Sequence, residues 1–207
     1  MTASRRRPGL IALARKVVAT PLGALSVGVI VVYVLLAAFA PLVAPYAPDA
    51  TALGQRLKPP SAQHWFGTDS LGRDILSRTL YGARVSLLIG IITVTITAVF
   101  GTVLGALGGF FRGAFDAVTG RLTELLLAFP YLIFAIGMMA FLGPGFFNLV
   151  LALSLKGWVE FYRLARGQTL DQASQEYVEA ARALGQRRGR SLFREVIPNI
   201  LPAIVVL

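Results

Sequence analysis

Hydrophobic residues in this chain gather into long runs that no charge interrupts, and the charged residues fall between them. From Val17 to Pro48 there are 32 residues without a formal charge, and about 20 apolar residues suffice to cross a ~30 Å hydrocarbon core. A first span is therefore predicted over residues 20–42. The second run, Val85 to Phe111, holds 27 residues and as helix reaches about 40 Å at ~1.5 Å per residue, enough for one tilted span over 85–111. A third run from Leu125 to Leu155 is interrupted by Gly143-Pro144-Gly145. That turn signal, placed at 143–145, divides the run into spans over 122–142 and 146–163. The chain turns apolar again at Ile197, so 197–207 reads as the start of a fifth span and the chain is expected to be incomplete. The predicted fold class is all-α, a polytopic transmembrane helical bundle.

Composition agrees: 56% of residues are hydrophobic and 14% charged, which excludes an ordinary soluble domain and a disordered chain. The net charge of +10 lies between apolar runs instead of among interleaved basic and polar residues, so no nucleic-acid partner is implied. The absence of cysteine removes disulfides, thiol catalysis and Cys-ligated metal centres. One histidine, His64, cannot form a cluster and reads as a loop or interfacial residue, so neither a metal site nor a bound cofactor is expected.

Charge position sets orientation. Arg5, Arg6, Arg7, Arg15 and Lys16 precede the first span with no acid among them, which places a tail over 1–19 in the cytoplasm. An alternative, a twin-arginine or secretory signal, lacks a clear small-residue cleavage site. Alternation puts 43–84 outside, a turn over 112–121 inside, and 164–196 inside. The stretch from Arg163 to Glu195 carries seven arginines against four acids, in agreement. The external segment is the exception, since Arg56, Lys58, Arg73, Arg78 and Arg84 outnumber Asp49, Asp69 and Asp74.

Glycines at 101, 105, 109 and 113 form overlapping G-x-x-x-G steps, which lay bare backbone along one helix face and suit close intramolecular packing. Lys156 lies about ten residues from the Gly-Pro-Gly turn, near mid-membrane, where an ammonium costs roughly 2.5–3.5 kcal/mol. Glu160, at i+4, can pair with it, although Lys preceding Glu is the weaker orientation. The two read either as a local pair or as groups lining a translocation path.

A short amphipathic helix is predicted from Asp171 to Gly185, capped by Asp171 or Ser174 and stopped by Gly185. Tyr177, Ala181 and Leu184 form one stripe, with Glu179 and Arg182 in pairing range on another face. Its small, alanine-built surface suits seating in a groove of a partner protein.

Glu179-Ala180-Ala181, three residues, Gly185, nine residues and then a stretch closing on Ile197-Pro198 resembles the EAA motif of the membrane subunits of bacterial ABC importers. His64-Trp65-Phe66-Gly67-Thr68-Asp69, followed by Gly72-Arg73-Asp74 and Tyr81-Gly82-Ala83-Arg84, resembles the external segment of the peptide, oligopeptide and nickel branch. Leu126 to Pro130 and Arg163 to Gly167 extend the likeness. It implies a multi-pass subunit of the bacterial inner membrane, paired with a second, similar permease, two cytoplasmic ATPase subunits and an external solute-binding protein. Glu179, Ala180, Ala181 and Gly185 would be the ATPase contact, with ATP hydrolysed by the partner subunits. The chain itself has no G-x-x-x-x-G-K-[ST] loop and is not expected to be an enzyme.

The resemblance departs at Glu195, where a hydrophobic residue is usual, and at Ile197, where leucine usually precedes the proline. Family members continue through a fifth and a sixth span. Gly67, Thr68, Asp69, Gly72, Arg73 and Asp74 read either as a turn and cap ahead of the second span or as a docking surface for the binding protein. The expected cargo is a dipeptide or oligopeptide. Alternatives are nickel or another solute, a secondary transporter using Lys156 and Glu160, and a remnant that does not transport.

Overall fold

In the computed structural model, residues 18–206 are described; the basic stretch at 5–16, on which the cytoplasmic tail rests, lies outside the described residues. Helices dominate, and among the described residues the only β pairing is an isolated bridge between Thr68 and Asp74. The chain divides after Leu88 into two units.

In the first unit, α1 (Pro21–Ala38) starts from Thr20, whose hydroxyl accepts the Gly23 N–H at 3.2 Å, with Pro21 at the position where a missing N–H is harmless. Leu22, Leu25, Val29, Ile30 and Leu36 are all exposed along it. A helix apolar on every side belongs in lipid. Pro41 allows only a further turn, α2 (Ala40–Val43), before the chain becomes irregular. A 3₁₀ turn follows at Leu53–Gln55. The long helix α3 (Ile75–Phe111) then begins, and its first turns through Leu88 complete this unit.

In the second unit α3 continues to Phe111. Arg112 (φ 56°) and Gly113 (φ 75°) make the corner. The chain resumes as α4 (Gly113–Leu127), α5 (Tyr131–Leu142), α6 (Phe146–Ala173), α7 (Glu176–Ala183), α8 (Arg188–Ser191) and α9 (Ile197–Val206). The expected turn over 112–121 is therefore mostly helix. The expected continuous span over 122–142 is broken between Leu127 and Tyr131, where α4 and α5 meet at 91°. Pro130 is the cause: it disfavours helical backbone at Phe129 and has no N–H to continue the ladder. The Gly-Pro-Gly turn lies where predicted, and Asn148 Nδ2 closes it by donating to the carbonyls of Leu142 (2.7 Å) and Gly143 (3.2 Å).

By length and composition, two helices can cross a membrane, Pro21–Ala38 and Ile75–Phe111, or three where α4 and α5 form one bent span. The glycine ladder supplies the direction of a fourth element. A methyl at Gly101 would collide with the Trp158 carbonyl, at Gly105 with that of Tyr162, and at Gly109 with that of Arg166. The contacts advance together along both chains, so α3 and α6 run parallel with their backbones in close approach. Gly113, the fourth rung, has left this face and serves the corner. Beside the ladder a core forms from Ala106, Phe110, Ala165, Val178, Leu192, Val196, Ile200 and Ile204.

Gly105→Ala sets a methyl against backbone that cannot swing away, and a loss of about 1–3 kcal/mol is expected, read as a lower unfolding temperature in detergent. Gly90→Ala, with open space around it and a better helix former in place of glycine, should leave that temperature unchanged or raise it slightly. Equal stability of the two variants would refute the close approach.

Candidate functional site

The segment resembling the EAA motif forms α7, which is shorter than predicted. Asp171 lies inside α6, which runs on to Ala173. Ser174 ends that helix, its hydroxyl donating to the Asp171 carbonyl at 2.8 Å, so neither residue caps α7. Gln175 takes the N-cap position without a side-chain bond. The stop at Gly185 is as the sequence suggests: its φ is 85°, its N–H donates to the Arg182 carbonyl at 2.9 Å, and the Gln186 N–H donates to Ala181 at 3.1 Å. These paired bonds make a Schellman motif that requires a left-handed residue at 185.

One residue of α7, Val178, is fully buried and ties the helix into the core. Glu179, Ala180 and Gly185 are exposed and Ala181 is half-buried. Arg182 does not pair with Glu179; its guanidinium lies 4.9 Å from the centre of the Phe110 ring, and among the described residues no ion pair reaches Glu179. An exposed surface of alanines with two carboxylates, Glu176 and Glu179, is thus presented on a short, anchored helix.

The departure at Glu195 has a structural cause. Leu192–Val196 forms a wide π turn, with the Ile197 N–H donating to the Leu192 carbonyl five residues back. The turn brings Leu192 and Val196 inward and leaves Glu195 half-buried. Val196 fills the core position in its place.

Lys156 and Glu160 do not form the local pair. Lys156 is 7% exposed, donates from Nζ to the Phe129 carbonyl, and lies 5.9 Å from the centre of the Tyr131 ring. Glu160 is exposed. The break before Pro130 explains the exchange: helix ends leave carbonyls without intrahelical donors, and one of them offers the ammonium a partner in the apolar layer.

Sequence reasoning missed a polar network between α4 and α6. Arg166 grips Asp116 with two bonds, Nε to Oδ1 at 2.5 Å and Nη2 to Oδ2 at 2.7 Å. The Tyr162 hydroxyl donates to the same Oδ1 at 3.2 Å and lies 2.9 Å from Thr119 Oγ1. A cavity of about 840 Å³ opens beside it, lined by Asp116, Glu124, Tyr162, Arg163 and Arg166 among others. Arg166 stood in a recognised motif, but Asp116 lies fifty positions away and no periodicity joins them.

In the first unit the motif at 64–74 is a hydrogen-bonded knot. Gly67 (φ 74°) and Gly72 (φ 75°) turn the chain, each with its Cα against another segment's backbone, at Lys58 and Ala52. Asp69 Oδ1 accepts the N–H groups of Leu71 (2.8 Å) and Arg73 (3.0 Å), and its Oδ2 pairs with Arg73 Nε (2.8 Å) and with Arg78. Arg73 and Arg78 thus share one carboxylate, which offsets a single one of their two charges and leaves the cationic excess of this segment in place. Asp74 Oδ2 caps α3 through the Ser77 N–H at 2.8 Å, while Oδ1 lies 2.9 Å from His64 Nδ1. His64, 8% exposed, reaches Gln55 Oε1 through its other nitrogen at 3.0 Å. Thr68 Oγ1 accepts the Lys58 N–H at 2.9 Å and donates to the Gln55 carbonyl.

Burial alone would raise the Asp74 carboxyl, but the Ser77 N–H and hydroxyl and the His64 imidazole outweigh it and hold it below its ordinary value of 3.8. Asp69 is likewise held low: burial opposes ionisation, and the Arg73 and Leu71 N–H groups and the Arg73 guanidinium overcome it.

Residues 101–207 match the family described as binding-protein-dependent transport system inner membrane component. Residues 13–60 match the N-terminal TM domain of oligopeptide transport permease C. The chain belongs to the first of these families, as a membrane-embedded transport component. It is 40% identical over 178 residues to the oligopeptide transport system permease protein OppC of Bacillus subtilis (strain 168), covering 86% of this chain and 58% of that protein. To the dipeptide transport system permease protein DppC of Alkalihalophilus pseudofirmus it is 40% identical over 182 residues, 87% of this chain and 60% of the relative. To the glutathione transport system permease protein GsiD of Escherichia coli O1:K1 / APEC it is 40% identical over 178 residues, with 86% and 59% covered. The chain thus spans about three fifths of the length of these relatives.

Two outcomes test the geometry. A carboxyl depressed in the folded state contributes stability that is complete above its unfolded value and is lost as pH falls through the folded one. Acidification below 3.8 should therefore loosen the knot, seen as faster amide exchange at residues 64–77, and Asp74→Asn should remove that part of the pH dependence. For the second unit, Asp116→Ala strands Arg166 and should cost about 1–3 kcal/mol, with Arg166→Leu in the same chain recovering part of it. Additive losses in that double-mutant cycle would show that the two groups do not interact.

Proposed function

We propose that this chain is the membrane-spanning subunit of an ATP-driven importer that, with a second permease, forms the path for dipeptides or oligopeptides. The observation that carries this reading is α7: a short helix in the position and spacing of the EAA motif, anchored by Val178, closed at Gly185, and exposing Glu179 and Ala180. In this reading Glu179, Ala180, Ala181 and Gly185 seat in a cleft of a cytoplasmic ATPase. Two such ATPases hydrolyse the ATP, and an external solute-binding protein delivers cargo. The names of the relatives favour peptide-like cargo and extend the candidates to glutathione.

The parallel course of α3 and α6 supports counting α6 as a span in the direction of α3, with α4 and α5 as the return between them. Residues 164–196 then share the side of the corner at Arg112, and that side is the cytoplasm in this reading. The alternative in which Lys156 and Glu160 couple ion flow is weakened, because Lys156 donates to the Phe129 carbonyl and forms no ion pair with Glu160.

The test is co-purification of the detergent-extracted full-length gene product with candidate ATPase subunits. Wild type should retain them. Gly185→Pro, which cannot adopt a positive φ, should lose them, and Glu179→Arg, a change at an exposed position, should weaken capture by at least about tenfold, or ~1.4 kcal/mol. Capture unaffected by either substitution would reject the assignment of α7.

A further inference from the structure

Four large apolar side chains of the knot have no protein to cover them. Trp65 is 69% exposed and Phe66 53%, and Leu53 and Leu57 are both 66% exposed. Leu57 is held at φ 53°, backbone that a leucine adopts only when its surroundings enforce it. Here the enforcement is visible: the Leu57 N–H donates to the Asp69 carbonyl at 3.0 Å, and the next residue, Lys58, bonds to Thr68. The two apolar pairs are also tied to each other, because Gln55 and His64 meet at 3.0 Å. These side chains are displayed by a hydrogen-bonded frame.

The height of that frame is set by the exit of the first span. Tyr46 follows the end of α2 by three residues, its N–H donates to Ser77 Oγ at 3.1 Å, and its hydroxyl donates to the Gln63 carbonyl at 3.1 Å. Its ring lies 4.8 Å from that of His64, whose neighbour is Trp65. The apolar tip therefore sits within a few residues of the point where α1 and α2 leave the hydrocarbon. Tryptophan is favoured at that depth because its ring is apolar while its N–H can still reach water or headgroup oxygens. Arg56 and Lys58, both exposed and in no ion pair among the described residues, flank the tip where lipid phosphates would lie.

We propose that Trp65 and Phe66, with Leu53 and Leu57, form an interfacial anchor resting in the lipid headgroup region of the leaflet on which α1 and α2 end. A soluble binding protein that docks and leaves would return these four side chains to water each time, whereas lipid covers them continuously. The inference does not depend on ATPase coupling.

Site-directed spin labelling of the full-length chain, assembled with its partner subunits in liposomes, tests it. Trp65→Cys and Phe66→Cys each accept one nitroxide once any cysteine beyond residue 207 and in the partner subunits is replaced; residues 1–207 contain none. Oxygen should relax both labels more strongly than a water-soluble nickel chelate. Dominant relaxation by nickel would place the tip in water and overturn the proposal. Protection from both reagents, relieved when the binding protein or the second permease is omitted, would assign the surface to a protein and overturn it equally. Should the cysteine variants fail to assemble, Trp65 fluorescence decides the matter in an assembly where Trp158 and every tryptophan outside residues 1–207 is replaced by phenylalanine. Loss of emission with brominated phospholipids supports the anchor, and loss with aqueous iodide alone refutes it.

Discussion

The close approach of α3 to α6 governs the second unit. Two helices meet through bare backbone at Gly101, Gly105 and Gly109, where any side chain would strike a carbonyl of the opposing helix. Dispersion between backbones is available in lipid, where the hydrophobic effect no longer drives helices together. Once that seam is fixed, so is the rotation of α6. Trp158, Tyr162 and Ala165 turn inward, Arg166 is delivered to Asp116 on α4, and Lys156 points to the break before α5. The parallel course of the two helices adds a topological consequence. If both cross the bilayer, the chain between them must come back, and the bent pair of α4 and α5 is the only described segment there to do it.

Breaking that return segment creates a need that Lys156 meets. In hydrocarbon an unpaired carbonyl costs several kcal/mol, and so does an unpaired ammonium. Joining the two leaves one satisfied pair where there would have been two orphans. Lys156, which in the sequence resembles a misplaced charge, thereby becomes a tie between α6 and the start of α5. Tyr131 strengthens the same junction by donating to the Leu153 carbonyl at 3.1 Å.

Much of this was legible in the residues. Uncharged runs, the Gly-Pro-Gly turn and the glycine ladder each report a local property of the backbone, and local properties survive folding. The stop at Gly185 belongs to the same class. The errors concern competition between alternatives that are close in sequence. Asp171 and Ser174 are good caps, but α6 had enough packing along Ala165 and Thr169 to carry the helix past the first of them. Pro130 was visible and still read as part of a span, because a proline within an apolar run can kink a helix or end it, and only the tertiary fold decides which. The Asp116 and Arg166 pair was out of reach for another reason: it depends on the rotation of α6, which the glycine seam sets.

The same seam bears on how a short helix at the surface could act on the membrane. Val178 of α7 is buried with Ala106 and Phe110 of α3, Ala165 of α6, and Leu192 and Val196 of the π turn. Arg182, one turn further along the same face, rests on the Phe110 ring. Packed interiors resist compression and transmit displacement, so α7 cannot shift while its neighbours stay still. Were it joined to the rest by an exposed linker, a partner seated on Glu179 and Ala180 would move only α7. With Val178 in the shared core, the same partner works against the joined ends of α3 and α6. In the proposed reading, a push at the exposed face would be passed through Val178 to those two helix ends, which a solvated loop helix could not do.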